Sequence, residues 1–347
     1  MTLRIALWAD AWSDDGVAFV VEAERLGVAS VWSAEAWGYD ALTPLAFLAA
    51  RTTSVRLGTS IAQLGARTPA LLAMSAMSMQ ALSGGRFVLG LGTSGPQVME
   101  GWHGVQFDRP VQRTRETIEI VRAIAAGDRL EHDGRAYVLP LPGSVKRGIR
   151  SMAPAAAVPV YVASLGPANL RMTGELADGW IGTAFMPETA EVFLGPLREG
   201  AARAGRSLAD LDLTVPVSLE FVDDAEEAAR RHARGYAFTF GAMGSLESNF
   251  YKDAFSRQGF AEDAAEVQRL WLAGRRDEAA DRVPVELGRR TNLLGPPAAV
   301  RERLRLYRDA GITTLKVGVP AGDLDHRVAT LEQLLDLVDE VNREPAA

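Results

Sequence analysis

Short apolar runs alternate with amphipathic stretches along almost the whole chain. The apolar runs carry few polar positions, which is typical of strands that are buried on both faces of a parallel sheet. They predict strands at 3–8, 30–34, 56–62, 86–91, 158–163, 180–184, 213–221 and 314–319. Apolar residues three or four positions apart predict helices at 14–26, 42–50, 69–82, 111–126, 167–176, 188–204, 296–310 and 326–341.

This alternation predicts an α/β fold with parallel strands joined by right-handed crossovers. Eight strand–helix units favour a closed TIM (β/α)8 barrel over an open doubly wound sheet, and no GxGxxG follows the first strand. We expect a single barrel domain over residues 1–347. Two insertion segments interrupt the alternation: about 128–159, with a predicted hairpin at 130–139, and about 223–284, a helical insertion before the last strand–helix unit.

Composition narrows the class of protein. Hydrophobic residues make up 48% and charged residues 23%, as in globular domains. The absence of cysteine excludes disulfides, thiolate metal sites and cysteine nucleophiles. The net charge of −7 predicts no nucleic-acid partner, and no apolar stretch approaches the roughly 18 residues of a membrane span. We therefore expect a cytoplasmic protein, and we find no HExxH, P-loop or GxSxG motif.

The active site of such a barrel lies at the carboxyl ends of its strands. Glu35, Trp37 and Tyr39 follow the second strand and suit a pocket for a planar ligand. The alternative is that Trp37 and Tyr39 cap the end of the barrel. Small and hydroxyl residues end the next two strands, at 58–60 and 90–94. Their donors suit a heterocycle or a phosphate, although ordinary turns use the same residues.

Two further strand ends suggest a phosphate site. Leu165 and Gly166 precede a helix whose first residue is proline, so free backbone N–H groups point outward from that helix start. The sixth strand ends in Gly182 and Thr183, which again are small and rich in donors. Ordinary helix caps are the alternative interpretation.

Histidine is scarce, with four in the chain. His103 lies in the loop after the fourth strand, where it is either an acid/base group or a structural hydrogen bonder that pins the loop. Several tryptophans also fall near predicted strand ends and suit the walls of a dry substrate pocket: Trp8, Trp12, Trp37 and Trp102.

Taken together, these segments resemble the luciferase-like monooxygenase family, and most of all its branch that uses coenzyme F-420, an 8-hydroxy-5-deazaflavin. The resemblance covers essentially the whole chain and is carried by residues 31–50, 56–76, 82–104 and 177–185. Within the third segment, LSGGRFVLGLG followed by GPQVMEGWHG is the most specific match. The helical insertion matches least.

The resemblance implies a cofactor lying across the barrel mouth. It implies a non-prolyl cis peptide between Ser60 and Ile61, with Ile61 behind the central ring, and an acidic Glu35 near the reacting ring edge. The remaining cofactor contacts that it implies are Thr93 and Ser94 beside the pyrimidine end and ribityl chain, and Leu165, Gly166, Gly182 and Thr183 around the phosphate.

Two positions depart from the deazaflavin dehydrogenases of the family. Some of these have a catalytic histidine directly after the acidic residue, where this chain has Ala36. They also have a glutamate after the fourth strand, where Gly95 or Pro96 stands here. A role as a sugar-phosphate dehydrogenase is therefore not implied.

The sequence thus predicts hydride transfer between coenzyme F-420 and a small organic substrate, with Glu35 and His103 as candidate proton carriers and Trp8, Trp37 and Trp102 around the substrate. FMN-dependent monooxygenation is the rival, and a catalytically inactive ligand-binding barrel is a third interpretation. Arg67 and the basic cluster at 146–150 are candidates for a groove that takes the acidic tail of F-420. The resemblance is compatible with a homodimer, and the helical insertion is a candidate for its interface.

Overall fold

The computed structural model describes residues 2–144, 147–243 and 249–345. Within these residues, parallel strands form a closed barrel, in which each strand pairs with the next and the last pairs with the first. The barrel strands are β1 (Arg4–Trp8), β2 (Ser30–Ser33), β3 (Arg56–Thr59), β4 (Phe87–Gly92), β5 (Val160–Ala163), β6 (Gly179–Ile181), β7 (Asp212–Glu220) and β8 (Thr314–Gly318). The predicted TIM-type fold is confirmed.

Helices surround the barrel and begin where the sequence supplies caps. Thr68 accepts a hydrogen bond from the N–H of Leu71, and Gly84 closes the same helix in the left-handed conformation, at φ 66°. The helices are α1 (Asp14–Arg25), α2 (Leu42–Ala49), α3 (Pro69–Ser83), α4 (Pro96–Gly101), α5 (Pro110–Ala125), α6 (Pro167–Leu176), α7 (Glu191–Arg203), α8 (Ala225–Gly241), α9 (Phe250–Phe255), α10 (Ala261–Leu272), α11 (Arg276–Arg282), α12 (Val285–Arg290), α13 (Pro297–Asp309) and α14 (Leu324–Arg343).

Alternate residues of each strand face the helices or the barrel interior. Ile5 and Leu7 of β1 pack outward into the main hydrophobic core, whereas Ala6 packs inward. The inward side chains form a separate buried cluster of Ala6, Trp32, Val88, Tyr161 and Ile181. The interior is therefore a packed core and not a pore.

A polar cluster closes the base of the barrel. The carboxylate of Asp212, at the start of β7, lies 2.9 Å from Arg4 and 3.9 Å from Arg56. It also accepts hydrogen bonds from the hydroxyls of Tyr161 (2.8 Å) and Thr314 (2.8 Å). Its exposed fraction is 12%, so each of its oxygens depends on these partners rather than on water.

Strand β3 is shorter than the predicted 56–62, because it leaves the sheet after Thr59. The ladder to β4 ends at Gly58 and resumes at Ala62–Gln63, which pair with Leu91 and Gly92. In the gap, the Thr59 hydroxyl donates to the carbonyl oxygen of Gly90 (2.7 Å) and accepts from its N–H (2.9 Å). Residues 60–61 consequently bulge into the barrel mouth.

The two segments that interrupt the alternation lie at opposite ends of the barrel. The predicted hairpin forms, with His132–Asp133 antiparallel to Val138–Leu139, on a connection that leaves the carboxyl end of α5. The second segment leaves the carboxyl end of β7 as the helices α8 to α12, so it begins at the barrel mouth. Its own hydrophobic cluster joins the barrel at Ala184 and Met186.

Among the described residues, no helix has the length and apolar character needed to cross a bilayer. The same part of the chain holds no cluster of three or more His, Asp or Glu side chains placed to bind a metal ion.

The cluster at the base predicts how strongly two substitutions destabilise the protein. Asp212→Ala leaves the hydroxyls of Tyr161 and Thr314 without their acceptor and removes the counter-charge of two partly exposed arginines, so we expect the free energy of unfolding to fall by about 2 kcal/mol. Tyr161→Phe removes one hydrogen bond and should cost about 1 kcal/mol. Urea denaturation at pH 7 measures both, and equal losses would contradict the central position of Asp212.

Candidate active site

A cavity of about 850 Å³ opens at the carboxyl ends of β2 to β6. Segments after five strands and parts of the helical insertion form its walls. Its lining includes Glu35, Trp37, Ser60, Ile61, Gly92, Thr93, Ser94, Trp102, Ser164, Leu165, Gly166, Ala168, Asn169, Ile181, Thr183, Phe238, Met243, Phe250 and Tyr251. The predicted site residues on this wall come from six separate segments, which the barrel brings together.

Three of the predicted site residues do not line the cavity. Gly182 lies on the outward face of its strand, because side chains alternate and Thr183 takes the inward position. A Cβ at Gly182 would come within 2.4 Å of the Trp180 ring, and its N–H already donates to Thr214. Packing against Trp180 therefore accounts for this glycine, and its N–H is not available to a phosphate.

The other two are Trp8 and His103. Trp8 faces the barrel axis on the far side of the mouth and is 37% exposed. The Nε2 of His103 lies 2.8 Å from the Oε1 of Gln63, which makes the histidine part of the wall's support. This arrangement matches the structural alternative for His103, a hydrogen bonder that pins its loop.

Glu35 lies on the cavity wall, but its carboxylate is already engaged. Both of its oxygens accept hydrogen bonds of 2.7 Å from Arg67, and one also accepts from the N–H of Gln63 at 2.9 Å. The side chain of Gln63 in turn donates to the carbonyl oxygens of Glu35 and Ala36. The hydrogen-bond network of His103, Gln63, Glu35 and Arg67 thus connects three loops. Because Glu35 neutralises the charge of Arg67, this arginine is not available to bind the acidic tail of a ligand.

The floor of the cavity is the bulge after β3. The peptide bond between Ser60 and Ile61 is cis, which confirms the expectation from the family resemblance. The Ile61 side chain lies on Gly92, where a Cβ would come within 2.7 Å of it. Glycine at position 92 therefore leaves room for Ile61 to lie flat under the open cavity.

Small residues and free donors surround the start of α6. Gly166 is its N-cap and Pro167 its first residue, so the N–H groups of Ala168 and Asn169 have no partner within the helix. Asn169 also has a buried side-chain oxygen without a hydrogen-bond partner among the described residues. The free N–H groups at the positive end of a helix are the donors that a phosphate requires, whereas the Asn169 oxygen is an acceptor and adds no donor to this set.

A cation lies at the rim of this group of donors. The guanidinium of Arg257, in the irregular turn Ser256–Phe260, donates a hydrogen bond of 2.7 Å to the carbonyl oxygen of Leu165. Leu165 lines the cavity, so the positive charge of Arg257 lies beside the helix start. No sequence pattern pointed to Arg257, because 92 positions separate it from Leu165.

The insertion also supplies an aromatic wall that the sequence analysis did not predict. Phe238 and Met243 precede the segment 244–248, and Phe250 and Tyr251 follow it. Burial raises the pKa of the Tyr251 phenol, so this hydroxyl stays protonated at neutral pH. The only sequence signal was the aromatic content of a stretch that otherwise matches the family least.

The basic cluster proposed for a ligand tail lies elsewhere. Lys146 falls outside the described residues, and the carbonyl oxygens of Gly148 and Ile149 accept hydrogen bonds from Arg129 and Leu130. Those two donors follow the carboxyl end of α5, which is the end of the barrel opposite the mouth. The described part of the cluster therefore does not reach the cavity.

Below the cavity floor, the barrel interior holds a lysine. Lys316 of β8 is 1% exposed, and its Nζ donates a hydrogen bond to the Oγ of Ser60. The Nζ lies 3.9 Å from the centre of the Trp8 ring and 5.8 Å from that of Trp32. Burial lowers the pKa of Lys316 to about 7, because water no longer solvates the charged form.

A closed parallel barrel with a cavity at the carboxyl ends of its strands defines this protein as a TIM-type barrel with a ligand-sized site at its mouth. The model of the luciferase-like monooxygenase family matches residues 10–314. A Mycobacterium tuberculosis protein named as a coenzyme F-420-dependent oxidoreductase is 37% identical over 95% of this chain and 97% of its own length. An F-420-dependent glucose-6-phosphate dehydrogenase of Kineococcus radiotolerans is 30% identical over 88% of this chain and 87% of its own.

A solved structure shares the fold. The coenzyme F-420-dependent tetrahydromethanopterin reductase of Methanopyrus kandleri superposes with a TM-score of 0.76 at 22% identity, over 96% of this chain and 98% of its own. The chain belongs to the luciferase-like monooxygenase family.

The buried lysine predicts how stability depends on pH. Between pH 7 and about 10.5 the folded chain has released the proton of Lys316, whereas the unfolded chain retains it. Unfolding then takes up a proton, so the stability of the wild type should rise with pH relative to Lys316→Met, by roughly 1.4 kcal/mol per pH unit between pH 7 and 9. Denaturation curves of both proteins across this range measure the difference. Parallel pH profiles would show that Lys316 keeps its ordinary pKa.

Proposed function

We propose that this protein is a coenzyme F-420-dependent oxidoreductase that transfers a hydride between the deazaflavin and a small, uncharged organic substrate. The observation that carries the proposal is the combination of a flat floor at Ile61 with a phosphate cradle at the start of α6 in one cavity. A ring and a phosphate held this way belong to one elongated cofactor, and the family and its F-420-dependent relatives support that choice.

The residues present fit such a group. Ile61 and Gly92 offer a smooth apolar surface for a ring, and Thr93 and Ser94 line the wall beside it with hydroxyl groups. The free N–H groups at the start of α6 mark the place for a phosphate. When bound, F-420 supplies the carbon that accepts or donates a hydride, and the protein supplies orientation and a dry wall.

Arg257 favours F-420 over FMN as the cofactor. The two share the ring system and the phosphate position, so the floor and cradle suit either. F-420 continues beyond its phosphate into an acidic tail, and Arg257 places a positive charge at the rim of the cradle, beside Leu165. FMN-dependent monooxygenation remains the second candidate, because FMN would leave only this rim contact unused.

The aromatic wall supports an uncharged substrate. The described lining residues include no Lys or Arg, and the segment 244–248 contains none in the sequence. Phosphorylated substrates are ordinarily held by such cations. Trp37, Trp102, Phe238 and Phe250 instead offer apolar faces opposite the ring floor. Apolar alcohols, ketones or enones therefore fit better than the sugar phosphate of the Kineococcus relative.

Tyr251 is our preferred proton carrier, ahead of Glu35 and His103. It lines the cavity, and its raised pKa keeps a proton available for a substrate carbonyl oxygen. Glu35 pairs with Arg67 and His103 bonds to Gln63, so we assign both to positioning the loops that carry the wall.

The single-domain organisation, the cytoplasmic location and a homodimer stay predictions.

Binding of the two cofactors tests the proposal. We expect purified protein to bind oxidised F-420, with quenching of its fluorescence, more tightly than FMN. Arg257→Ala should weaken F-420 binding about tenfold, because it removes one charge-assisted contact, while FMN binding should change little. Arg269→Ala, which removes an exposed arginine paired with Glu266 in the same insertion, is the matched control.

Tight binding of FMN with no response to F-420 would instead support the monooxygenase. A folded sample that binds neither cofactor would support the inactive barrel. If Arg257→Ala binds F-420 as well as the wild type does, the tail contact is wrong even though the cofactor is right.

Substrate charge gives a second test. With F-420 supplied, we expect cyclohexanol or another apolar secondary alcohol to reduce the cofactor and glucose-6-phosphate to leave it unchanged. Tyr251→Phe should lower kcat about a hundredfold, the usual size of an acid–base contribution, with little change in cofactor affinity. Reduction by glucose-6-phosphate in preference to the neutral alcohols would contradict the proposed substrate class.

A further inference from the structure

Lys316 is the most unusual charged residue of the barrel. It is one of three lysines in the chain, and its side chain is buried in the barrel interior. Its register neighbours are Ala6 on β1 and Pro216 on β7, neither of which offers a polar side chain. The sequence pattern gives no reason for a lysine here, because an apolar residue would fill the same space without the cost of burying a charge.

The described surroundings of Lys316 offset part of the cost of burying its positive charge but provide no opposite charge to cancel it. The rings of Trp8 and Trp32 lie near its Nζ, where their negative faces attract a cation. The Oγ of Ser60 accepts its one hydrogen bond to a side chain within the described residues. No carboxylate of that part of the chain lies within ion-pair distance.

The charged groups on the elements packed around Lys316 already have partners, and among them Glu220 at the end of β7 pairs with Arg231 and lies 2.7 Å from His232. At the mouth, Asp10 after β1 pairs with Arg327 of α14. After β2, Glu35 pairs with Arg67. At the base, Asp212 of β7 pairs with the arginines of β1 and β3. The charge on Lys316 is therefore the uncompensated one inside the described barrel.

This charge lies directly behind the seat of the ring. Ser60 lines the cavity and Ile61 forms its floor, so the Nζ is one hydrogen bond away from the cavity wall. Because protein surrounds this path, the charge acts through a medium of low polarity, where its influence extends over several ångströms.

We propose that Lys316 is a positioning residue with an electrostatic role. Its hydrogen bond holds Ser60 in place, and its buried positive charge behind the redox ring favours the reduced form of the cofactor. A hydride carries two electrons and one proton, so its arrival adds one negative charge to the ring, and the substrate that gives it up is oxidised. Lys316 forms and breaks no covalent bond. It lowers the free energy of the state in which that extra charge is present.

The inference rests on the proposed function, since it needs a redox ring in this cavity, but it holds for F-420 and for FMN alike. The lowered pKa of Lys316 agrees with it, because a lysine that titrates near neutral pH responds to a new negative charge by binding a proton.

The test compares the affinities of oxidised and reduced F-420 in Lys316→Met and Lys316→Gln, measured anaerobically at pH 6, where the lysine of the wild type is protonated. We expect the ratio of reduced to oxidised affinity to fall about tenfold in both variants. For a two-electron couple, tenfold corresponds to a midpoint potential of the bound cofactor about 30 mV lower, which a redox titration measures independently of turnover.

Two controls separate charge from structure. Ser60→Ala keeps the lysine but removes its hydrogen bond, so both affinities should change together and their ratio should stay within twofold. Lys252→Met removes a lysine of α9 that bonds to Gln268 and should leave the ratio unchanged.

An unchanged ratio and an unchanged potential in Lys316→Gln overturn the inference, and if Lys316→Met does not fold, Lys316→Gln decides alone. Failure of the wild type to bind either F-420 or FMN overturns the proposed function and the inference together. Normal binding with an unaltered ratio overturns only the inference, so the two failures are distinguishable.

Discussion

The hydroxyl of Thr59 exchanges two hydrogen bonds with the backbone of Gly90, and the geometry of the barrel mouth depends on this pair. It takes the place of the ladder bonds that β3 loses when it leaves the sheet. The close approach requires glycine at position 90, since a Cβ there would come within 1.8 Å of the Thr59 carbonyl oxygen. With that gap satisfied, residues 60 and 61 are free to form the cavity floor rather than a sheet edge.

Charged side chains are arranged differently at the base of the barrel, at its mouth and in its interior. At the base, Asp212 gathers two arginines and several hydroxyls into a closed network. At the mouth, Glu35 and Arg67 pair in support of the wall. Lys316 lies between these networks and belongs to neither. The charges of these two networks are paired, whereas Lys316 has no counter-charge among the described residues and lies behind the cavity floor. Its charge can therefore act on a ligand in the cavity.

The helical insertion gives the site its individual character. The barrel supplies the cavity floor and the start of α6, whereas the insertion contributes Phe238, Met243 and Tyr251 to the cavity wall. The insertion leaves β7 at its carboxyl end, so the topology itself delivers it to the mouth. The segment that resembles the family least thus forms part of the cavity wall.

The amino-acid sequence alone determined the barrel and much of its rim. Strand positions follow from short apolar runs, and strand ends place Ser60, Thr93 and Gly166 at the mouth, because both features depend on neighbours a few positions away. Tertiary structure decided the rest. The alternation along β6 turned Thr183 inward and Gly182 outward, within a strand end that offered both as candidates.

Contacts between distant segments lay beyond the reach of the sequence. The side chain of His103 forms a hydrogen bond with Gln63 that supports the cavity wall, and Arg257 donates a hydrogen bond to a carbonyl oxygen 92 positions away in the chain. In the sequence, Lys316 is one polar residue within an apolar run. Only the closed barrel places its Nζ beside the Oγ of Ser60. The periodicity of apolar residues indicates which face of each strand or helix is buried. Which side chains contact each other depends on closure of the barrel, and no local sequence pattern specifies those contacts.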